Sequence, residues 1–478
     1  GIPGYYGAGF GVRGSIIRGK CPYSFRKKDI VFWMILEKLN ELVWGPWLVC
    51  WLLGTSGYFM YRMDFLPLKN LKGAITLIVK PEKQKGEKGQ VSPFAALTTE
   101  LASTIGTGNI VGVAGAMALG GPGALFWMVA GSLLGMATKL AESMLAVKYR
   151  GKNEKGENTG GPMYTWQNRW RESRWARGMR RLFAVLAVLA SLGMGNMVQS
   201  NSIADALWLS FSVEKAKTGL FLSVLTILVV LGGIGSIGKV TAYLVPFMGI
   251  FYLFGICGIL MFHFNRIPQA LAEIVLTAFC PKAVAGGLFG TIRVGISRGI
   301  FSNEAGLGAA GISAASADTE DYVRQGYISM TGVFWDTIVM CSLTGLALAV
   351  SGVFGQKARG MEADATGLVL GVFQDSFGRA GNGFVSICIA LFAFATILGW
   401  AYQGEKAFEF LAGGKSRYCV IYRLLYGLAV FAGCLLPLET VWTLSDICNG
   451  CMAVPNLICL WLLSGEVCSG VRQRGRLD

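Results

Sequence analysis

Eleven stretches of mainly apolar residues, each long enough to cross a bilayer as a helix, dominate this chain. They fall at roughly 42–62, 92–120, 122–148, 182–209, 219–236, 240–263, 286–317, 327–352, 383–404, 419–436 and 441–463. A spanning helix needs about 20 such residues. Lipid offers no partner to a bare N–H or C=O, so only helices and closed barrels cross a membrane. Only 15% of residues are charged and 53% are hydrophobic, against about 25% charged in a soluble domain. Charge this sparse does not cover a water-facing surface. The expected fold class is an all-α membrane protein with about 11 transmembrane helices. No short apolar core precedes a small-residue cleavage site, so no signal peptide is read. The start at Gly1 fits a fragment or a processed form.

The net charge of +15 would suggest a nucleic-acid partner on a soluble protein. Here its placement argues otherwise. Basic residues crowd 148–181, 69–88 and the tail at Arg472, Arg474 and Arg476. Lys and Arg accumulate in cytoplasmic loops, and eleven spans put all three segments on one side. That side is then cytoplasmic and the N-terminus lies outside. Arg13, Arg18, Lys20, Arg26, Lys27 and Lys28 run against this orientation, unless 42–62 does not fully span. The twelve cysteines lie mostly in apolar stretches. Cys448 and Cys451 form a lone C-x-x-C, and His263 is the only histidine. A structural zinc site needs four Cys or His ligands, so no such site, His-based relay or Ser-His-Asp set is read. The chain is not expected to be an enzyme, and no cofactor is expected beyond a coupling ion.

Two apolar stretches carry helix-breaking sequence. One reads Ser103-Thr104-Ile105-Gly106-Thr107-Gly108-Asn109, the other Arg298-Gly299-Ile300-Phe301-Ser302-Asn303-Glu304-Ala305-Gly306-Leu307-Gly308. Four spanning candidates lie between them, so each break opens a unit of five. Paired interruptions at matching places in two halves point to a transporter site between inverted repeats. A break exposes helix ends. Free N–H groups attract a carboxylate, and free carbonyls hold a cation or an ammonium group. Gly106 and Gly108 permit close approach of a ligand to the backbone. For Gly112 and Gly115, close helix packing is the competing reading.

The runs GTGNIVGVAGAMALGGPGALFWM (106–128), GGPMYTW (160–166), GMGNMVQSNSIADAL (193–207), FSNEAGLG (301–308), GVFWDT (332–337) and FATILGW (394–400) resemble the alanine or glycine:cation symporter family. The resemblance spans about 90–460. It implies the leucine-transporter fold, with two inverted five-helix repeats preceded by one extra helix. The expected divisions are a Gly-rich basic leader (1–30), the extra helix and a basic loop (31–91), a first repeat (92–264), a second repeat (265–464) and a basic tail (465–478). The resemblance also implies roles. Thr104, Gly106, Gly108 and Asn109 hold the substrate carboxylate, and Phe301, Asn303 and Gly306 hold the ammonium group. Gln199 and Trp400 line the pocket. Thr396, with carbonyls near Ala102, Ile105 and Ala393, holds sodium. Position 397 is Ile397, so that site has one hydroxyl fewer than in some relatives of the fold.

Spacing places Asn196 with Gln199, and Thr396 with Trp400 and Gln403, on shared helix faces. Both stripes can point into the bundle or make interhelical hydrogen bonds, and Trp400 can pack in the core or serve as an interfacial anchor. Asp336, Glu304 and Glu100 are acids in apolar segments, where an acid is a functional candidate. Asp336 is a cation ligand, a proton carrier or a partner for Arg298 or Arg293. Glu304 faces the ions or caps a half-helix. Glu100 departs from the family pattern. Lys139 and Glu142, three apart, read as a gate or packing pair. The function expected is sodium-coupled import of a small neutral amino acid such as alanine or glycine. The alternatives are a proton-coupled symporter and a transporter-like amino-acid sensor. The expected partners are that amino acid, sodium and membrane lipid, with no nucleic acid and no obligate protein partner; a monomer in the bacterial inner or plasma membrane is the expected form.

Overall fold

The computed structural model describes residues 27–80, 91–280, 287–353, 365–436 and 439–477. Arg13, Arg18, Lys20 and Arg26 lie outside them, with most of the stretch read as leader, as do Lys83, Lys85 and Lys88. The described chain is helical apart from one two-stranded antiparallel hairpin, Gly151–Lys152 with Asn158–Thr159. Seven helices among the described residues are long and apolar enough to cross a membrane: Gly123–Lys148, Arg174–Phe211, Gly233–Phe262, Tyr322–Val350, Arg379–Leu411, Arg417–Leu435 and Val441–Leu462. The other expected spans are shorter or broken helices.

The expected 42–62 helix is corrected at its start. One helix runs Lys27–Val43 and a second Pro46–Arg62. Pro46 sits in the first turn, where its missing N–H costs nothing. The long helix Gly233–Phe262 shows why lipid must surround the bundle. Tyr243, Phe247, Ile250, Phe254 and Met261 are exposed along it, at spacings that form one apolar stripe.

The interior has two parts. One packs Gly123–Lys148 against Gly287–Asn303 and Tyr322–Val333. The other packs Arg174–Phe211 against Arg379–Leu411, beside Lys215–Leu231 with Arg417–Leu435. Of the two broken helices, the first (93–120) packs against Arg379–Leu411 and Gly233–Phe262, and the second contributes Gly287–Asn303 to the first part. Gly399 brings Arg379–Leu411 against the first broken helix so closely that a Cβ there would stand 2.4 Å from the Ser103 nitrogen.

Candidate functional site

The first break has a defined local cause. Helix Pro93–Thr104 starts on Ser92, whose hydroxyl accepts from the Ala95 N–H. It ends at Ile105, Gly106 turns extended, and a short 3-10 turn (Thr107–Asn109) leads into Val111–Gly120. Asn109 stitches the turn together, its Oδ1 accepting from the Gly106 N–H at 3.0 Å. No described residue accepts from the Thr107 or Gly108 N–H. A Cβ on Gly108 or Gly112 would find nothing within 4 Å. The packing reading therefore fails for Gly112, and free N–H groups sit beside open space.

Around the break the candidates converge. Thr107 donates to Gln199 Oε1 at 3.2 Å, and Gln199 donates to the Met194 carbonyl. Met194 lies in a π-helical turn, Gly193–Met197, a distortion that often marks functional sites. A Cβ on Gly106 would stand 2.4 Å from Thr396 Oγ1 and 3.7 Å from Gln199 Oε1. The Thr396 hydroxyl donates to the Phe392 carbonyl at 3.1 Å and lies 3.5 Å from the Ile105 carbonyl. Ala102 and Ala393 are fully buried close by in sequence, while Thr104 turns its hydroxyl back onto its own helix. Trp400 is buried against the Gly195 backbone, where a Cβ would meet the indole at 2.3 Å, and it lies beside Glu304. The interfacial-anchor reading of Trp400 is overturned, because the indole is inside the bundle. Gln403 continues the stripe, donating to Ser103 and Ser313, one on each broken helix.

The second break separates Gly287–Asn303 from Ala309–Ala314. Glu304, Gly306 and Gly308 all have positive φ, 55°, 96° and 88°, a region that favours glycine and strains Glu304. Asn303 is fully engaged within the protein. Its amide donates to Ser132 and Thr337, its Oδ1 accepts from the Ala305 N–H, and its carbonyl accepts from Lys139. The Gly306 carbonyl accepts from Asn456. No described residue donates to the Phe301 and Ser302 carbonyls. Phe301 packs edge-on against Trp44, with Arg298 over its ring.

Asp336 ties the breaks together. Its Oδ1 accepts from Asn109 at 2.7 Å, and its Oδ2 from Ser302 at 2.9 Å and Thr337 at 2.6 Å. The expected pairing with Arg298 or Arg293 is corrected: Arg293 reaches the Trp44 carbonyl, and Arg298 lies near Asp446. The Lys139–Glu142 pair is also corrected. Lys139 is ion-paired with Glu100 at 3.3 Å. Glu142 instead caps Ala309–Ala314, accepting from the Gly308 N–H at 3.1 Å and from Asn456 at 2.5 Å. That capping role falls to Glu142 rather than Glu304. Ser302 and Asn456 were not given roles from sequence, and Thr107 and Ser103 were read only as part of the polar cluster in the first break.

One end of the assembly is sealed. Val91 and Asp318 pair through their backbones, Val91 N to Ser316 O and Asp318 N to Val91 O, which joins the start of the first broken helix to the end of the second. Arg150 donates to the carbonyls of Ala315, Ala317 and Thr319. The hairpin adds Glu157, which pairs with Lys406 at 3.0 Å. Burial pushes the Glu157 carboxyl up, but Lys406 and Asn153 outweigh it and hold it below the usual glutamate range. A carboxyl lowered by folding stabilises above its unfolded pKa and loses that effect as pH falls through the folded value. This pair therefore weakens only on acidification below that range.

A model of the sodium:alanine symporter family matches residues 29–474. The chain belongs to the sodium:alanine symporter family. The symporter is 44% identical over 440 residues to a sodium/alanine symporter of Methanococcus maripaludis, covering 92% of this chain and 96% of that one. It is 42% identical over 433 residues to an uncharacterized transporter of Haemophilus influenzae, covering 89% and 92%. In fold it resembles the crystal structure of MhsT in complex with L-phenylalanine, at TM-score 0.55 and 14% identity, over 80% of this chain and 90% of that one. The protein is a multi-pass membrane transporter of the leucine-transporter fold and not an enzyme.

Proposed function

We propose that this protein imports a small neutral amino acid, such as alanine or glycine, together with sodium, by alternating access. The observation that carries the reading is the first break. Two free N–H groups, Thr107 and Gly108, border open space, next to a threonine hydroxyl and a carbonyl that can take a hard cation. The substrate carboxylate binds at Gly106–Asn109, where helix N-terminal N–H groups favour an anion. Sodium sits at Thr396 Oγ1 and the Ile105 carbonyl, with the Ala102 and Ala393 carbonyls. Gln199 and Trp400 bound the side-chain pocket and keep it small. Of the carbonyls expected to receive the ammonium group, those of Asn303 and Gly306 are engaged. The group therefore goes to Phe301.

The wider reading is of eleven spans in two inverted repeats, 92–264 and 265–464. They follow one extra N-terminal helix and sit in the bacterial inner or plasma membrane as a monomer. The sealed end, which carries Arg150 and the basic 148–181 segment, faces the cytoplasm, so access to the site is closed on that side. Arg150→Ala removes three hydrogen bonds from that seal. It is expected to lower uptake several-fold and to raise the labelling of a cysteine placed at Ser316 from the cytoplasmic side. Unchanged labelling would argue against the seal.

Uptake of labelled alanine into proteoliposomes, with an inward sodium gradient and a choline control, tests the main reading. Accumulation in sodium only, competed by glycine, is the expected result; equal accumulation in choline would overturn it. One observation favours proton coupling as a second reading. Glu304 is buried in the second break and its Oε2 has no hydrogen-bond partner. Uptake that follows a pH gradient without sodium would select that reading.

A further inference from the structure

Lys139 is almost completely buried, 1% exposed, in the middle of Gly123–Lys148. A lysine in that position is costly unless its charge is matched. Two broken helices supply the match. Its Nζ donates to the Asn303 carbonyl at 2.8 Å, at the C-terminal end of Gly287–Asn303, where the helix dipole favours a cation. It also lies 3.3 Å from Glu100 Oε1 on the first broken helix, a carboxylate equally buried, with Ser329 the other polar side chain beside it. One turn along the same helix, Glu142 takes the Gly308 N–H at the opposite dipole end of the second break. The helix thus presents a cation and an anion to the two ends of one break, in the order those ends require. Three more acids act on Lys139 from a distance: Glu142 from its own helix, Glu304 from the second break and Asp336 from Tyr322–Val350.

A carboxylate oxygen and a helix-terminal carbonyl facing one buried point make a donor set for a small cation. We propose that the Lys139 ammonium is a tethered cation occupying a cation site separate from the one at Thr396, which joins the two broken helices without an ion from solution. The inference builds on the reading of the protein as an ion-coupled symporter, but its test does not depend on transport. Removing the ammonium group leaves Glu100 and the Asn303 carbonyl facing an empty buried site, and that site then takes an alkali cation from solution. Lys139 is a positioning residue here, since it touches neither of the proposed ligands.

The test is the thermal unfolding of purified, substrate-free protein in sodium, potassium or choline chloride at fixed ionic strength. Lys139→Met keeps the apolar stem and removes the charge. It is expected to melt below the wild type in choline by about 5 °C or more, and to regain a large part of the deficit in sodium or potassium, because a ligand that binds only the folded state raises its stability. The double variant Lys139→Met/Glu100→Gln removes the orphaned carboxylate and is expected to lose that gain. Lys139→Arg keeps the charge and is expected to show the wild-type salt response. Lys139→Met responding to alkali cations no more than the wild type would overturn the inference, as would a double variant responding as fully as the single one. If Lys139→Met does not fold, Glu100→Gln alone decides. The inference expects it to fold with a salt response no larger than the wild type; a larger response overturns the proposal. Sodium-independent uptake by the wild type would count against the proposed function and leave this test standing.

Discussion

Replacing Gly106 by alanine is expected to abolish sodium-driven uptake while leaving the protein folded. The backbone at Gly106 is extended, a conformation alanine adopts, so the obstacle is space. The new methyl would stand 2.4 Å from Thr396 Oγ1, well inside van der Waals contact. Either the threonine rotates away or Arg379–Leu411 withdraws from the break. Both moves take the hydroxyl from the Ile105 carbonyl, and both disturb the proposed sodium site. Overpacking of this kind costs roughly 1–3 kcal/mol of stability, which a bundle of this size tolerates. A misplacement of about 1 Å in a binding constellation costs roughly 100-fold in rate. The expected result is at least that loss in uptake, with a melting temperature within a few degrees of wild type. Gly108→Ala is the matched control. Its methyl meets nothing within 4 Å, so the ion site stays intact and the open space beside the free N–H groups shrinks. Its half-saturating alanine concentration is expected to rise several-fold, with sodium dependence unchanged. If Gly106→Ala transports like wild type, the contact between Gly106 and Thr396 has no part in the ion site.

The breaks were legible in the sequence because glycine and clustered hydroxyls inside an apolar run have few other uses. The same holds for the Thr396, Trp400 and Gln403 stripe, since helical spacing alone fixes a shared face. What the stripe faces was not legible: Trp400 read as a pocket wall, a core residue or an interfacial anchor. The partners of the charged residues were the least readable part. Lys139 and Glu142 lie three apart on one helix, which suggests a mutual pair, yet each reaches a different end of the second break. That outcome follows from the dipoles of two half-helices, and their ends become neighbours of Lys139 only in the folded bundle. Asp336 likewise found amide and hydroxyl donors in place of an arginine. A buried carboxylate with three short neutral donors needs no desolvated cation beside it. The split at Pro46 was open to a stricter reading, because a proline at that position ends the preceding helix.

Asp336 carries the second large effect, and two substitutions separate its roles. Asp336→Ala removes the acceptor from Asn109, Ser302 and Thr337 together, all buried. Each orphaned donor costs about 1–3 kcal/mol. Asn109 keeps the Asp336 backbone carbonyl at 3.0 Å, and Ser302 keeps its contact with Cys341, so the total is roughly 3–5 kcal/mol. The larger consequence is geometric. Asn109 sets the turn at Gly106, and Ser302 lies on the last turn before the second break, so losing their common acceptor frees the breaks from each other. Uptake is expected to fall at least about 100-fold, with a lowered melting temperature. Asp336→Asn has the shape of the native side chain. Its carbonyl oxygen accepts from Asn109 while its amide donates to the two hydroxyls, which rotate to receive it. It is therefore expected to fold like wild type and to keep uptake within about tenfold, still dependent on sodium. An Asp336→Asn protein as inactive as Asp336→Ala, yet stably folded, would mean that the negative charge itself takes part in ion coupling. The three hydrogen bonds would then serve to hold that charge in place between the two breaks.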